Sequence, residues 1–116
     1  MLATACLMAA MFFEARNQPR ASQIAVQSVV LNRSLKSHKS VCGVLKKHKQ
    51  FTWAKGGKIP PVRPVGRLDK QAYKVLRKHL YKRNLSRKYL YFNTVRMGRR
   101  YKTPVPVVRI ANMLFY

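Results

Sequence analysis

The chain has 116 residues, 47% of them hydrophobic, and carries 25 Lys and Arg against two carboxylate side chains, a formal charge of +23. That apolar content supports one domain with one modest core and excludes a disordered polycation. The charge favours polyanionic partners without saying which, and the two acids, Glu14 and Asp69, confine any carboxylic-acid chemistry to two positions.

The stretch from Met1 to Phe13 is apolar, lacks a cationic leader and a small-residue cleavage site, and is too short to span a bilayer. It is therefore expected to be the first core helix, over Ala3 to Ala15, and not a signal peptide or a membrane anchor. Asn17-Gln18-Pro19 ends it, because Pro cannot continue a helix but suits the first turn of the next. From Ala21 to Leu35 the apolar positions cover more than half the helical circumference, so the second helix, starting near Arg20, should be buried on most sides. Ser37 to Ser40 reads as a polar connection and Val41 to His48 as a short helical turn. Cys6 and Cys42 are too few for a disulfide framework and are expected to be free, buried thiols of a protein in a reducing compartment.

After Gln50-Phe51-Thr52-Trp53, the Gly- and Pro-rich stretch from Lys55 to Gly66 denies both helix and central strand and reads as loop. A cleaner amphipathic helix follows, with Leu68, Ala72, Val75, Leu76 and Leu80 on one face and Lys70, Lys74, Arg77, Lys78 and Lys82 on the other. Asp69 is expected to be its N-cap, with Leu68 and Tyr73 as a hydrophobic staple. Tyr89 to Asn93 and Val107 to Ile110 read as short strands. The fold class is thus α+β, mainly α, with a few short strands, and residues 1–116 are expected to form a single catalytic domain. His38, His48 and His79, with Cys42, show no metal-ligand spacing, and neither metal nor cofactor is expected.

With Asp69 read as a cap, Glu14 is the chemical candidate: a lone acid closing an apolar run. The plainer reading is a half-buried carboxylate paired with Arg16 or Arg20. Its apolar neighbours favour the neutral form and the surrounding cations the charged one, so the direction of its pKa shift is not legible in the sequence. Trp53 and Phe51 are aromatic candidates for stacking on a ligand, against the alternative that they cap the core, which is favoured for Phe51. Asn93 is a candidate hydrogen-bonding group or a simple turn residue.

The runs Cys6-Leu7, Phe12-Phe13-Glu14-Ala15-Arg16-Asn17-Gln18, Gln23-Ile24-Ala25-Val26, Val29-Val30-Leu31-Asn32-Arg33, Val41-Cys42-Gly43-Val44 and Gln50-Phe51-Thr52-Trp53 resemble, in order and spacing, the cell wall hydrolase family of the spore cortex-lytic enzyme SleB. Tyr91-Phe92-Asn93 and the segment Ile110 to Tyr116 are weaker echoes. The resemblance implies a lysozyme-like fold and cleavage of the peptidoglycan glycan strand between N-acetylmuramic acid and N-acetylglucosamine by a lytic transglycosylase. It implies that Glu14 is the catalytic acid, with Phe51, Trp53, Tyr91 and Asn93 as substrate-binding candidates. The family pattern often continues Glu-Ala-Arg with Gly-Glu, where this chain has Asn17-Gln18, and it leads one to expect His where Tyr91 and Met113 stand.

Chemistry reaches the same place separately. Hydrolytic glycosidases ordinarily use two carboxylates, whereas a transglycosylase lets the 6-hydroxyl of muramic acid attack and needs one residue as acid and then base. The expected setting is a phage endolysin made in the cytoplasm without a signal peptide, acting at the wall in the periplasm. Its basic surface would anchor it on anionic wall or outer-membrane polymers, and no dedicated protein partner is inferred. The alternatives are a hydrolytic muramidase, or a basic module on RNA or DNA using the charge and the interleaved tyrosines.

Overall fold

The computed structural model describes residues 2–47, 51–54 and 57–116. Helix α1, Ala3–Ala15, has no polar face: Cys6 through Phe12 and Ala15 are all buried. A helix apolar on every side must be surrounded, and α1 is packed against α2 (Arg20–Ser37), α3 (Val41–Lys47) and α4 (Gly66–Arg77). The side chains of Ala9, Ala10 and Ala25 are fully buried, small enough for α1 and α2 to lie close. Ser40 caps α3 by accepting the Gly43 N–H at 3.0 Å. No helix among the described residues is long and apolar enough to cross a membrane.

The expectation of free cysteines is overturned. Docking of α3 on α1 brings the two Cα atoms to 5.4 Å, and Cys6 and Cys42 form a disulfide. They are buried, as expected, but bonded, and the inference of a reducing compartment falls with the free thiols. A separation of 36 residues gives no signal of this in the sequence.

Helix α2 is buried on most sides, as its composition demanded, yet much of what it buries is polar: Ser22, Gln23, Gln27, Ser28, Asn32 and Arg33. These groups organise a segment with little regular structure of its own. Gln27 Nε2 donates to the carbonyls of His79 and Lys82 at 2.7 and 2.8 Å. Ser28 Oγ accepts the Asn84 N–H at 3.0 Å, and Asn32 Nδ2 donates to the Ser86 and Tyr89 carbonyls, both at 2.8 Å. Arg33 Nε donates to the Leu90 carbonyl. Buried side-chain donors and acceptors thus replace the backbone ladder that residues 79–90 lack.

Helix α4 departs from its pattern. Only Leu76 is buried, while Leu68 is 81% exposed and Val75 43% exposed. Asp69 is not the N-cap, a position held by Val65. It lies inside the first turn, where its Oδ2 accepts the Val65 N–H at 3.1 Å, a carboxylate reaching back to the donor of the N-cap residue. With Leu68 in solvent, no staple with Tyr73 forms.

The three strands are β1 (Phe92–Thr94), β2 (Val108–Ile110) and β3 (Met113–Phe115), antiparallel in the order β1-β3-β2. Two fall within or beside the expected segments; the central one was not anticipated. It follows a two-residue connection, Ala111-Asn112, in which Ala111 adopts φ 50°. Phe92, Met113 and Phe115 turn inward onto the helical core. The fold is mainly α with a small sheet, as the sequence implied.

Candidate active site

Glu14 occupies the last turn of α1, where the helix ends and the chain turns at Gln18 toward α2. The turn is held from outside by Gln23, whose buried amide donates to the carbonyls of Ala15 and Gln18, both at 3.2 Å, and to that of Arg16 at 3.5 Å. One side chain of α2 thereby ties down three carbonyls where α1 ends and the chain turns.

Trp53 fixes the carboxyl itself, donating its indole N–H to Glu14 Oε1 at 2.9 Å. The indole rests on Phe13 at 5.0 Å between ring centroids and meets Phe51 at 5.8 Å; Phe51 meets Phe92 at 6.0 Å. An aromatic row therefore runs from α1 beneath the carboxyl to β1. Phe51, 2% exposed, belongs to the core, the role its composition favoured. Trp53 is half-buried and touches the carboxyl.

Glu14 opens into a cavity of about 150 Å³ lined also by Gln18, Phe92, Asn93, Thr94, Met97, Asn112 and Met113. Helix α1 supplies one wall; β1 and the β2–β3 turn supply the other. Asn93 Nδ2 donates to Tyr116 Oη at 2.9 Å, and that oxygen also accepts the Arg100 N–H at 2.8 Å, which fixes the amide at the cavity edge. Tyr91 does not line this cavity. Its ring stacks near Tyr101 and Tyr116, 4.7 and 5.7 Å between centroids, beside a separate depression. Thr94, Met97 and Asn112 are not marked as site residues by the sequence, and Met113 is marked only as a position where the family likeness leads one to expect His.

Among the described residues, Glu14 forms no ion pair with Arg16 or Arg20. Arg16 directs its guanidinium to Asp69, 3.7 Å from Oδ2, and lies over the Phe12 ring at 4.8 Å. Burial raises the Glu14 pKa above its ordinary value near 4.5, and the Trp53 N–H opposes this by stabilising the carboxylate. Glu14 is the one acid lining the cavity, and Asp69 is bound to α4 and Arg16 outside it. A carboxylic acid biased toward its protonated form, facing a cleft edged by amides, is suited to give a proton to a neutral polar ligand and take one back.

No curated protein and no solved structure gives a significant match to the chain. The sequence pattern of the Cell Wall Hydrolase family matches residues 17–116, beginning just after Glu14 and covering α2, α3, α4 and the whole sheet. With most of its length matched, the chain belongs to the Cell Wall Hydrolase family, peptidoglycan-degrading enzymes of the SleB-like type.

Proposed function

We propose that the protein cleaves the glycan strand of peptidoglycan between N-acetylmuramic acid and N-acetylglucosamine as a lytic transglycosylase, with Glu14 as its single acid and base. Protonated Glu14 gives its proton to the glycosidic oxygen as the bond from that oxygen to the muramic anomeric carbon breaks. The resulting carboxylate then takes the proton of the muramic 6-hydroxyl as its oxygen closes on the anomeric carbon. The products are a free 4-hydroxyl on N-acetylglucosamine and a 1,6-anhydro ring, and Glu14 is protonated again.

The observation that carries this reading is the solitary acid. The cavity holds one carboxyl, raised toward its proton-bearing form, and the only other acidic side chain is engaged elsewhere. Hydrolytic glycosidases ordinarily place a second carboxylate across the scissile bond, and this cavity has none to offer. Trp53 positions the acid; Asn93, at the cavity edge, is the group for an N-acetyl or hydroxyl contact. Phe51 supports Trp53 from the core, and Tyr91, outside this cavity, is a candidate for contact with wall polymer away from the scissile bond. Residues 1–116 act as one catalytic domain at the wall, in the manner of a phage endolysin. The Cys6–Cys42 disulfide fits work in an oxidising compartment.

Mass spectrometry of digested peptidoglycan tests the mechanism. Anhydro-muramic ends, about 18 Da lighter than hydrolysis products for want of the added water, are expected. Reducing muramic ends as the main product would show water to be the nucleophile.

A further inference from the structure

The charge is not spread evenly over the fold. Helix α2 reaches its C-terminus with Lys36 in the last turn and His38 in the left-handed region at φ 55°, after which Lys39 turns back and its carbonyl is held by Ser34 Oγ. Helix α3 ends with Lys47. These ends enclose a depression of about 400 Å³ whose lining includes Arg33, Lys36, Lys39, Lys47 and Tyr91. Cations at helix C-termini interact favourably with the helix dipoles, which accounts for each lysine alone but not for their convergence on one hollow. The Lys47 amine beside it lowers the Lys39 ammonium below its usual value, so the two groups crowd each other. No acidic side chain relieves them: Asp69 is held by Arg16 and Glu14 by Trp53.

The hollow is built as well as charged. Arg33 is 6% exposed, donates to the Leu90 carbonyl, and lies 5.7 and 5.2 Å from the ring centres of Phe51 and Tyr91. Tyr91, stacked near Tyr101, adds an aromatic wall of the kind that packs on sugar rings. A neighbouring groove shares Lys36, Leu90 and Tyr91 and brings in Arg87, Lys88 and Lys102. Leu90 and Tyr91 line the basic depression, whereas the next two residues, Phe92 and Asn93, line the Glu14 cavity. The two sites therefore adjoin through one short run of chain.

We propose that this hollow is a second binding site, taking an oxyanion-bearing glycopolymer of the wall, its phosphate or carboxylate set among Lys36, Lys39 and Lys47 and a sugar ring against Tyr91. It holds the enzyme beside the strand that Glu14 cuts. The proposal rests on the reading of wall glycan as substrate. Lysines bind such groups as point charges, and convergent cations with no internal counter-charge complement an anionic chain.

The test compares Lys39→Gln/Lys47→Gln with Lys70→Gln/Lys74→Gln, which removes equal charge from α4, both in full-length Glu14→Gln protein. The probes are sacculi that retain phosphodiester glycopolymers, the same sacculi stripped of them by mild acid, and a single-stranded DNA oligonucleotide, all at physiological ionic strength. The first variant should bind intact sacculi roughly tenfold more weakly through the two lost phosphate contacts, and the α4 variant less than about twofold more weakly. Dependence on Lys39 and Lys47 that disappears on stripped sacculi identifies phosphate; dependence that persists identifies carboxylate. Equal weakening in both variants, no weakening in the first, or tighter Lys39- and Lys47-dependent binding to DNA than to sacculi would overturn the site. With Glu14 restored, the Lys39→Gln/Lys47→Gln enzyme should turn over a short glycan-strand fragment with its carboxyl groups amidated at the wild-type rate. Cleavage by Glu14→Gln itself would remove the catalytic reading alone, because the binding comparison uses no turnover.

Discussion

Reducing the Cys6–Cys42 bond should have a large and calculable effect. The bond joins residues 36 apart, and the loop-closure entropy it removes from the unfolded chain corresponds to about 4 kcal/mol at 25 °C. For 116 residues, an unfolding entropy of about 2.1 cal/mol/K per residue makes this equivalent to a fall of about 15 °C in Tm. The loss bears on function because the bond ties α3 to α1, the helix that ends in Glu14. Thermal and denaturant unfolding of the oxidised protein, the reduced protein and Cys6→Ser/Cys42→Ser supplies the measurement. Reduced and doubly substituted proteins should melt together, well below the oxidised form, and lytic activity should vanish as each passes its own midpoint. Coincident unfolding curves for all three would refute the reasoning and leave the packing of α1 on α3 as the sole link between them.

Glu14→Gln should fold and lose activity about 100-fold or more, the scale of a lost general acid; turbidity clearance at the wild-type rate would contradict the assignment. Asp69→Asn, the control, should cost about 0.5–1 kcal/mol of stability through the weakened first turn of α4 and the Arg16 contact, with activity retained below its melting point. Under the proposed mechanism, in which protonated Glu14 is the active form, the pH profile of glycan cleavage should fall on the alkaline side, at a pH raised by the burial of Glu14. Trp53→Phe removes a donor that stabilises the carboxylate, so that limb should move to higher pH, and a shift to lower pH would contradict the geometry. The linked stability has a definite sign: the raised pKa contributes stability below the ordinary value near 4.5 that is lost as pH rises through the folded value. Glu14→Gln should thus gain stability relative to wild type in alkaline buffer. Ala111→Gly should raise Tm by about 4 °C, since relieving φ 50° at a residue with a Cβ is worth about 1 kcal/mol.

The helical frame was legible because its signals are local. An unbroken apolar run made α1, Pro19 set the start of α2, and the paucity of acids singled out Glu14 before any geometry was known. The family likeness was likewise carried by contiguous runs, and the family match extends it to the C-terminus. What stayed hidden depends on residues far apart in the chain. The disulfide required α3 to lie on α1; the direction of the Glu14 pKa required knowing that Trp53 covers it while Arg16 turns to Asp69. Helix α4 misled because a regular apolar pattern says which face can be buried, and only its neighbours decide how much of it is. The centre of the sheet was missed for the opposite reason: Asn112 is a single weak turn signal and the positive φ falls on Ala111, so the hairpin is held by pairing on both edges of β3. The sequence by itself determined the helices, the scarce acid and the excess of cations. The tertiary structure alone decided which of these meet, because burial, hydrogen bonding and charge crowding depend on spatial neighbours rather than on position along the chain.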